Sequence, residues 1–190
     1  MKQTSLIPIC NAIFNADTIV LSDGEKLLRF NNVFDDDVLQ GLVGAMSSIV
    51  PGKAHGQEHR ARQSWNLDVD VHNTMTAGDL DAIKLAVEEA TGTKYQSMSV
   101  SLWEDTESYS VVKHVDPDHL NSVMQVYLPA DNCALPNTGS IVYDGIHEYQ
   151  VPFVPNTGYF LSNCNTTVHS SGEPVKAGHV RRSVCFYFRK

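Results

Sequence analysis

Residues 97 to 190 run as short stretches of alternating apolar and polar side chains, repeatedly cut by turn signals. Met98, Val100 and Leu102 alternate with Ser97, Ser99 and Ser101. Such period-two alternation marks half-buried strands of an antiparallel sheet. Further strands are expected at residues 109–116, 122–128, 140–143, 147–151, 158–162 and 180–188. Between them fall Pro117-Asp118, Pro136-Asn137-Thr138-Gly139, Asp144-Gly145, Pro155-Asn156-Thr157-Gly158 and Ser171-Gly172-Glu173-Pro174, residues that favour turns through fixed φ, positive φ or local side-chain hydrogen bonds. A succession of short strands behind a few helices suits a sandwich or barrel with helices on one side.

The helices belong to the first half. Asp35-Asp36-Asp37 precede Val38, Leu39, Leu42, Val43, Met46 and Ile49. That spacing is helical, and acids are favoured at a helix N-terminus, so the acidic run reads as a helix start rather than a metal cluster. Pro51-Gly52 ends the pattern. A second helix is expected from about Ala77 to Ala90, with Thr76 as N-cap, Leu80, Ile83, Val87 and Ala90 as its apolar stripe and Gly92 as its stop. Leu27 to Phe30 and the alternation Trp65, Leu67, Val69, Val71 read as strands. One domain over residues 1–190 is expected, with 1–95 as helical and strand support and 96–190 as the core.

Composition removes several function classes. The net charge of −8 argues against a nucleic-acid binder, because an acidic surface repels phosphate. The four cysteines, Cys10, Cys133, Cys164 and Cys185, form no CxxC pair, which points to reduced thiols and a cytoplasmic protein. No secretory signal and no membrane-spanning apolar run is visible, so no membrane partner is expected.

The chemistry concentrates in His114-Val115-Asp116, His169 and Arg181-Arg182-Ser183. In a strand, His114 and Asp116 share a face, roughly 7 Å apart along the chain. Imidazole and carboxylate suit Fe(II), Mn(II) or Zn(II), and two histidines with one carboxylate leave open positions on the metal. His169, after a strand and a short polar loop, is the best-placed third ligand; His119 and His147 read as solvent-exposed loop residues. In the last strand Arg181, Ser183, Cys185 and Tyr187 face one way, and Arg182, Val184, Phe186 and Phe188 the other. An arginine facing a barrel interior requires an anion, and the Ser183 hydroxyl two residues on can add a hydrogen bond.

This order of His-x-Asp, His and Arg-x-Ser resembles the Fe(II)/2-oxoglutarate-dependent oxygenases, nearest their prolyl-4-hydroxylase-like branch. The resemblance covers about residues 96–190. It includes Tyr109, the strand Val123 to Pro129, Thr138 to Tyr143 and Val151 to Phe160. It implies a mainly β (α+β) fold, a double-stranded β-helix or cupin-like jelly roll with N-terminal supporting helices. It implies His114, Asp116 and His169 as metal ligands, Arg181 with Ser183 on the far carboxylate of 2-oxoglutarate, and Tyr127 as a further cosubstrate contact. The implied enzyme is a 2-oxoglutarate-dependent dioxygenase, a hydroxylase of an unactivated C–H bond in a protein side chain, amino acid or small metabolite. It would use Fe(II), 2-oxoglutarate and O2, with ascorbate admitted as an accessory, and release succinate and CO2. Thr138-Gly139 stands where the family has Gly-Gly. Asp116 keeps the carboxylate, which disfavours halogenation.

Other readings stay open beside it. A cupin-like metal-binding protein or isomerase would share the histidines without needing Arg181 or 2-oxoglutarate. A nucleic-acid demethylase of the same superfamily is weakened by the acidic charge and by Tyr187 where a second arginine would stand. Arg182 competes with Arg181 as the anchor. His55-Gly56-Gln57-Glu58-His59 matches a zinc-protease string, but Pro51, Gly52 and Gly56 oppose the helix that string needs. Arg60, Arg62 and Trp65 read equally as substrate contacts or as solvated charge beside a core aromatic, and Cys185 as a small buried filler.

Overall fold

Among the described residues three α-helices form where apolar side chains recur at helical spacing, and they cover one face of a large sheet. The computed structural model describes residues 7–48, 52–53, 62–66, 75 and 77–190. Helix α1 (Ile7–Phe14) buries Ile9 and Ile13, which are four residues apart and so share a face. Helix α2 (Asp36–Ser48) buries Val38, Leu39, Leu42 and Met46, and the Asp35 carboxylate caps it by accepting the Val38 N–H at 2.9 Å. Helix α3 (Ala77–Thr91) ends at Gly92, whose φ of +75° places it in the left-handed conformation that closes many helices.

The strands are β1 (Asp17–Val20), β2 (Lys26–Asn31), β3 (Gly52–Lys53), β4 (Arg62–Asn66), β5 (Ser97–Asp105), β6 (Ser122–Leu128), β7 (Ser140–Tyr143), β8 (Glu148–Val151), β9 (Thr157–Leu161), β10 (His169–Ser171) and β11 (Arg181–Arg189). They form an eight-stranded sheet in the order β1-β2-β9-β6-β11-β5-β4-β3 and a three-stranded sheet in the order β10-β7-β8. All named pairings are antiparallel. This is the jelly-roll, double-stranded β-helix architecture. The N-terminal strands belong to its main sheet, since β2 pairs with β9 and β4 with β5.

Two apolar clusters follow from strand alternation. Met124, Val126, Leu128, Val184, Phe186 and Phe188 face the helices. Val123, Tyr127, Tyr159 and Leu161 face Val142, Val151 and Phe153 of the small sheet and its loops. Strand β6 is buried along its whole length because both of its faces are covered. Gly158 is required here, since a Cβ at this position would collide with the backbone of Gln125 and Val126.

One expected strand is corrected. Residues 109–116 form no continuous strand; a single bridge joins His114 to His169. Ser171 donates its N–H to Val111 O, but Val111 donates to the Ser171 hydroxyl rather than to a backbone carbonyl. Between the Val111–Ser171 and His114–His169 contacts the chain advances three residues on one side and two on the other. The extra residue breaks the ladder, as in a bulge. Helix α1 and strands β1 and β10 were not anticipated; each is too short for its periodicity to stand out. The His55–His59 string, Thr76 and residues 67–74 lie outside the described residues. All four cysteines are free thiols, and among the described residues no helix is long and apolar enough to cross a membrane.

Candidate active site

His114 and His169 are locked to each other by a reciprocal backbone pair, each N–H donating to the other's carbonyl at 2.9 Å. Asp116 is held next to them by its N–H to Cys164 O at 2.9 Å. Ligand atoms of His114, Asp116 and His169 all lie within 4.8 Å of one another. Nε2 of each histidine stands 3.7 Å from an Asp116 carboxylate oxygen, and the two rings are 4.3 Å apart at their centroids.

The far side of each ring decides its tautomer. Nδ1 of His114 is 3.0 Å from Val112 O, and Nδ1 of His169 is 3.0 Å from Thr167 O. A carbonyl only accepts, so each Nδ1 carries a proton toward its carbonyl, and Nε2 of each ring faces Asp116. A carbonyl behind the ring in this way orients metal-ligating histidines. Burial acts to raise the Asp116 pKa, but hydrogen bonding with His114 and His169 outweighs it, so the carboxyl is held well below its usual range. The two imidazoles and one carboxylate form a donor set that fits Fe(II), Mn(II) or Zn(II).

A narrow cavity of about 100 Å³ runs inward from this triad, and Gln125, Ser140, Tyr159 and Arg181 line it. Gln125 is the hub of its polar wall. It donates to Ser183 Oγ at 2.9 Å and accepts from Tyr159 Oη at 3.0 Å. Tyr127 stands behind this wall and donates to Ser140 Oγ at 3.0 Å. Burial raises the Tyr127 and Tyr159 pKa values, so both stay phenols and act as donors.

Arg181 points into the cavity, as strand parity predicts, whereas Arg182 pairs with Glu104 at 2.7 Å in a half-buried position. The anion that an inward arginine needs is supplied by the chain. Arg181 donates through Nε and Nη2 to Asp105 Oδ2, at 2.9 and 2.8 Å, and through Nη1 to the carbonyls of Thr138 and Gly139. Asp105 has no exposed side-chain surface, and it also receives Nε and Nη2 of Arg62. Arg62 stacks over the rings of Trp103 and Tyr109, at 4.6 and 4.3 Å from their centroids. Burial opposes both guanidinium charges, but Asp105 offsets it, and both pKa values are raised. Two cations against one carboxylate leave one positive charge at the inner end of the cavity.

The sequence-predicted residues thus divide. His114, Asp116, His169 and Arg181 line one cavity. Ser183 and Tyr127 reach it through Gln125 and Ser140. Cys185 lies in its wall. His119 and His147 are exposed. Asp105, Gln125, Ser140 and Tyr159 were missed. Asp105 extends the alternation of Ser97, Ser99, Ser101 and Trp103, which was the one available signal.

No protein-family model matches the chain, and no curated protein matches it by sequence. Solved structures do match. A prolyl-4-hydroxylase from Pseudomonas putida is similar over 98% of this chain and 99% of its own, with a TM-score of 0.63 and 13% identity. This is the fold of the 2OG-Fe(II) oxygenases. A 2OG-Fe(II) oxygenase family oxidoreductase from Burkholderia pseudomallei has the same fold over 99% of this chain and 91% of its own, with a TM-score of 0.66 and 12% identity. A prolyl hydroxylase from Trichoplax adhaerens, in complex with a hypoxia inducible factor peptide fragment, matches 96% of this chain and 88% of its own, with a TM-score of 0.66 and 12% identity. The 2OG-Fe(II) oxygenase fold here is therefore of the prolyl-hydroxylase-like form.

Proposed function

We propose that residues 1–190 form a single Fe(II)- and 2-oxoglutarate-dependent oxygenase domain. It hydroxylates an unactivated C–H bond of a protein side chain, amino acid or small metabolite and releases succinate and CO2. The observation that carries this reading is one cavity with His114, Asp116 and His169 at its mouth and Arg181 at its inner end. The oxygenase fold supports it.

His114 and His169 would hold Fe(II) through Nε2, and Asp116 through its carboxylate. Bound there, Fe(II) would supply activation of O2 coupled to oxidative decarboxylation of 2-oxoglutarate. The carbonyls of Val112 and Thr167 hold the two imidazoles in the ligating tautomer. Arg181, with Arg62 beside it, provides the net positive charge for the distal carboxylate of 2-oxoglutarate, while Ser183 and Gln125 orient the polar wall. Tyr127 acts through Ser140. Ascorbate would serve as an accessory reductant.

One observation favours a second reading. Because Asp105 already engages Arg181, the same site suits a cupin-like metal-binding protein or isomerase that does not use 2-oxoglutarate. Anaerobic titration with Fe(II) and then 2-oxoglutarate separates the two. The oxygenase gives a weak visible charge-transfer band that His114→Ala abolishes. Arg181→Gln then retains metal and loses about tenfold or more in 2-oxoglutarate affinity, the worth of one charge-assisted contact. No band, or an affinity indifferent to Arg181, decides for the alternative.

A further inference from the structure

A second cavity, of about 380 Å³, adjoins the first and shares His114, Asp116, Tyr187 and Arg62 with it. Strand β11 lays out both along a single face. Arg181 lies at the inner end, Cys185 and Tyr187 lie in the wall beside the ligand triad, and Arg189 lies one two-residue step beyond. Each such step advances roughly 7 Å. Strand β5 continues the same floor, with Ser101 paired to Cys185 and Ser99 to Tyr187. Ser99, Ser101 and Trp103 therefore line the second cavity. The Trp103 indole donates to Tyr187 Oη at 3.1 Å.

The charge in this cavity runs against that of the chain. The protein carries −8 overall, yet two arginines line the space, and Asp116 is the only carboxylate among its described lining residues. Asp116 faces the two histidines. Arg62 is committed to Asp105. Arg189 donates Nη1 to Ser99 Oγ at 3.1 Å, and among the described residues no carboxylate pairs with it. A cation that no carboxylate of the described residues neutralises, above a floor of serine hydroxyls, is suited to receive an anion. The volume falls at the small end of the range for small-molecule sites.

We infer that this cavity holds the molecule being oxidised, and that this molecule is a free amino acid. Its carboxylate meets Arg189, and its body lies along Ser99, Ser101 and Trp103 with a C–H directed at the triad. The inference rests on the oxygenase reading. It narrows that reading from three substrate classes to one and sets the anion several bonds from the oxidised carbon.

The test uses the whole protein loaded anaerobically with Fe(II) and 2-oxoglutarate, titrated calorimetrically with each free L-amino acid and with its C-terminal amide. At least one acid binds, and its amide binds about tenfold more weakly, as expected for loss of one charge-assisted contact. Arg189→Gln abolishes that preference while the 2-oxoglutarate band stays unchanged, and Arg189→Lys restores part of it. If no acid binds better than its amide, or the preference survives Arg189→Gln, the inference falls alone. If the band never forms in the unsubstituted protein, the oxygenase reading falls and takes this inference with it.

Discussion

Asp105 is the residue on which the inner end of the site depends. It sits at the last position of β5, directly across from Arg181 of β11 and Arg62 of β4. Its two oxygens receive both guanidinium groups with no surface exposed to water. Removing one partner from a buried ion group leaves the others uncompensated, which typically costs about 3–5 kcal/mol. Asp105→Asn should therefore lower stability by about that amount, read as a shift of the urea midpoint without a change in slope. A shift under about 1 kcal/mol would mean that water already screens this cluster. Cys185, in the same wall, has its thiol pushed up to about 12 by burial and is not a nucleophile at neutral pH.

Among the elements, α3 is tied by one carboxylate to the loop that leads into β5. Glu88, near the helix C-terminus, accepts the Tyr95 N–H at 3.0 Å and pairs with Lys94 at 2.8 Å and Lys84 at 3.2 Å. The hydrogen bond with Lys94 is the largest of the effects that lower its pKa to about 2. A carboxyl whose pKa is depressed by folding stabilises the folded state above its ordinary value near 4.5. That stability disappears as pH falls through about 2. Glu88→Gln should lower Tm by a few degrees at pH 6, and the difference from the unsubstituted protein should vanish by about pH 2. A pH-independent difference would show that Glu88 acts through packing alone. Periodicity made α2, α3 and most core strands legible, because each buries one regular face. The segment 109–116 was misread because its pairing with β10 depends on the Ser171 hydroxyl and an extra residue, which no local alternation records.

At the scale of the molecule, the three candidate ligands come from two segments distant in sequence, residues 114–116 and β10, joined by the His114–His169 backbone pair. A metal that binds only this assembled site stabilises the whole fold. At one hundred times its dissociation constant the gain is about 2.7 kcal/mol, or roughly 5–10 °C in Tm for a chain of this length. Mn(II) or anaerobic Fe(II) should produce that rise in a thermal melt, and His169→Ala should remove it. An equal rise in the variant would place the metal elsewhere. The sequence alone determined a sandwich or barrel with helices on one side, the alternation that sets Arg181 and Ser183 on one face of the last strand, and the three candidate ligands, because alternation and residue chemistry are local properties; the jelly-roll class came with the resemblance to a known family. Only the tertiary structure decided that Asp105 and Arg62 surround Arg181, that Gln125 organises the cavity wall, and that Arg189 faces a second cavity. Those relations depend on strand register between distant segments, and register is set by how the two sheets and the helices bury their faces together.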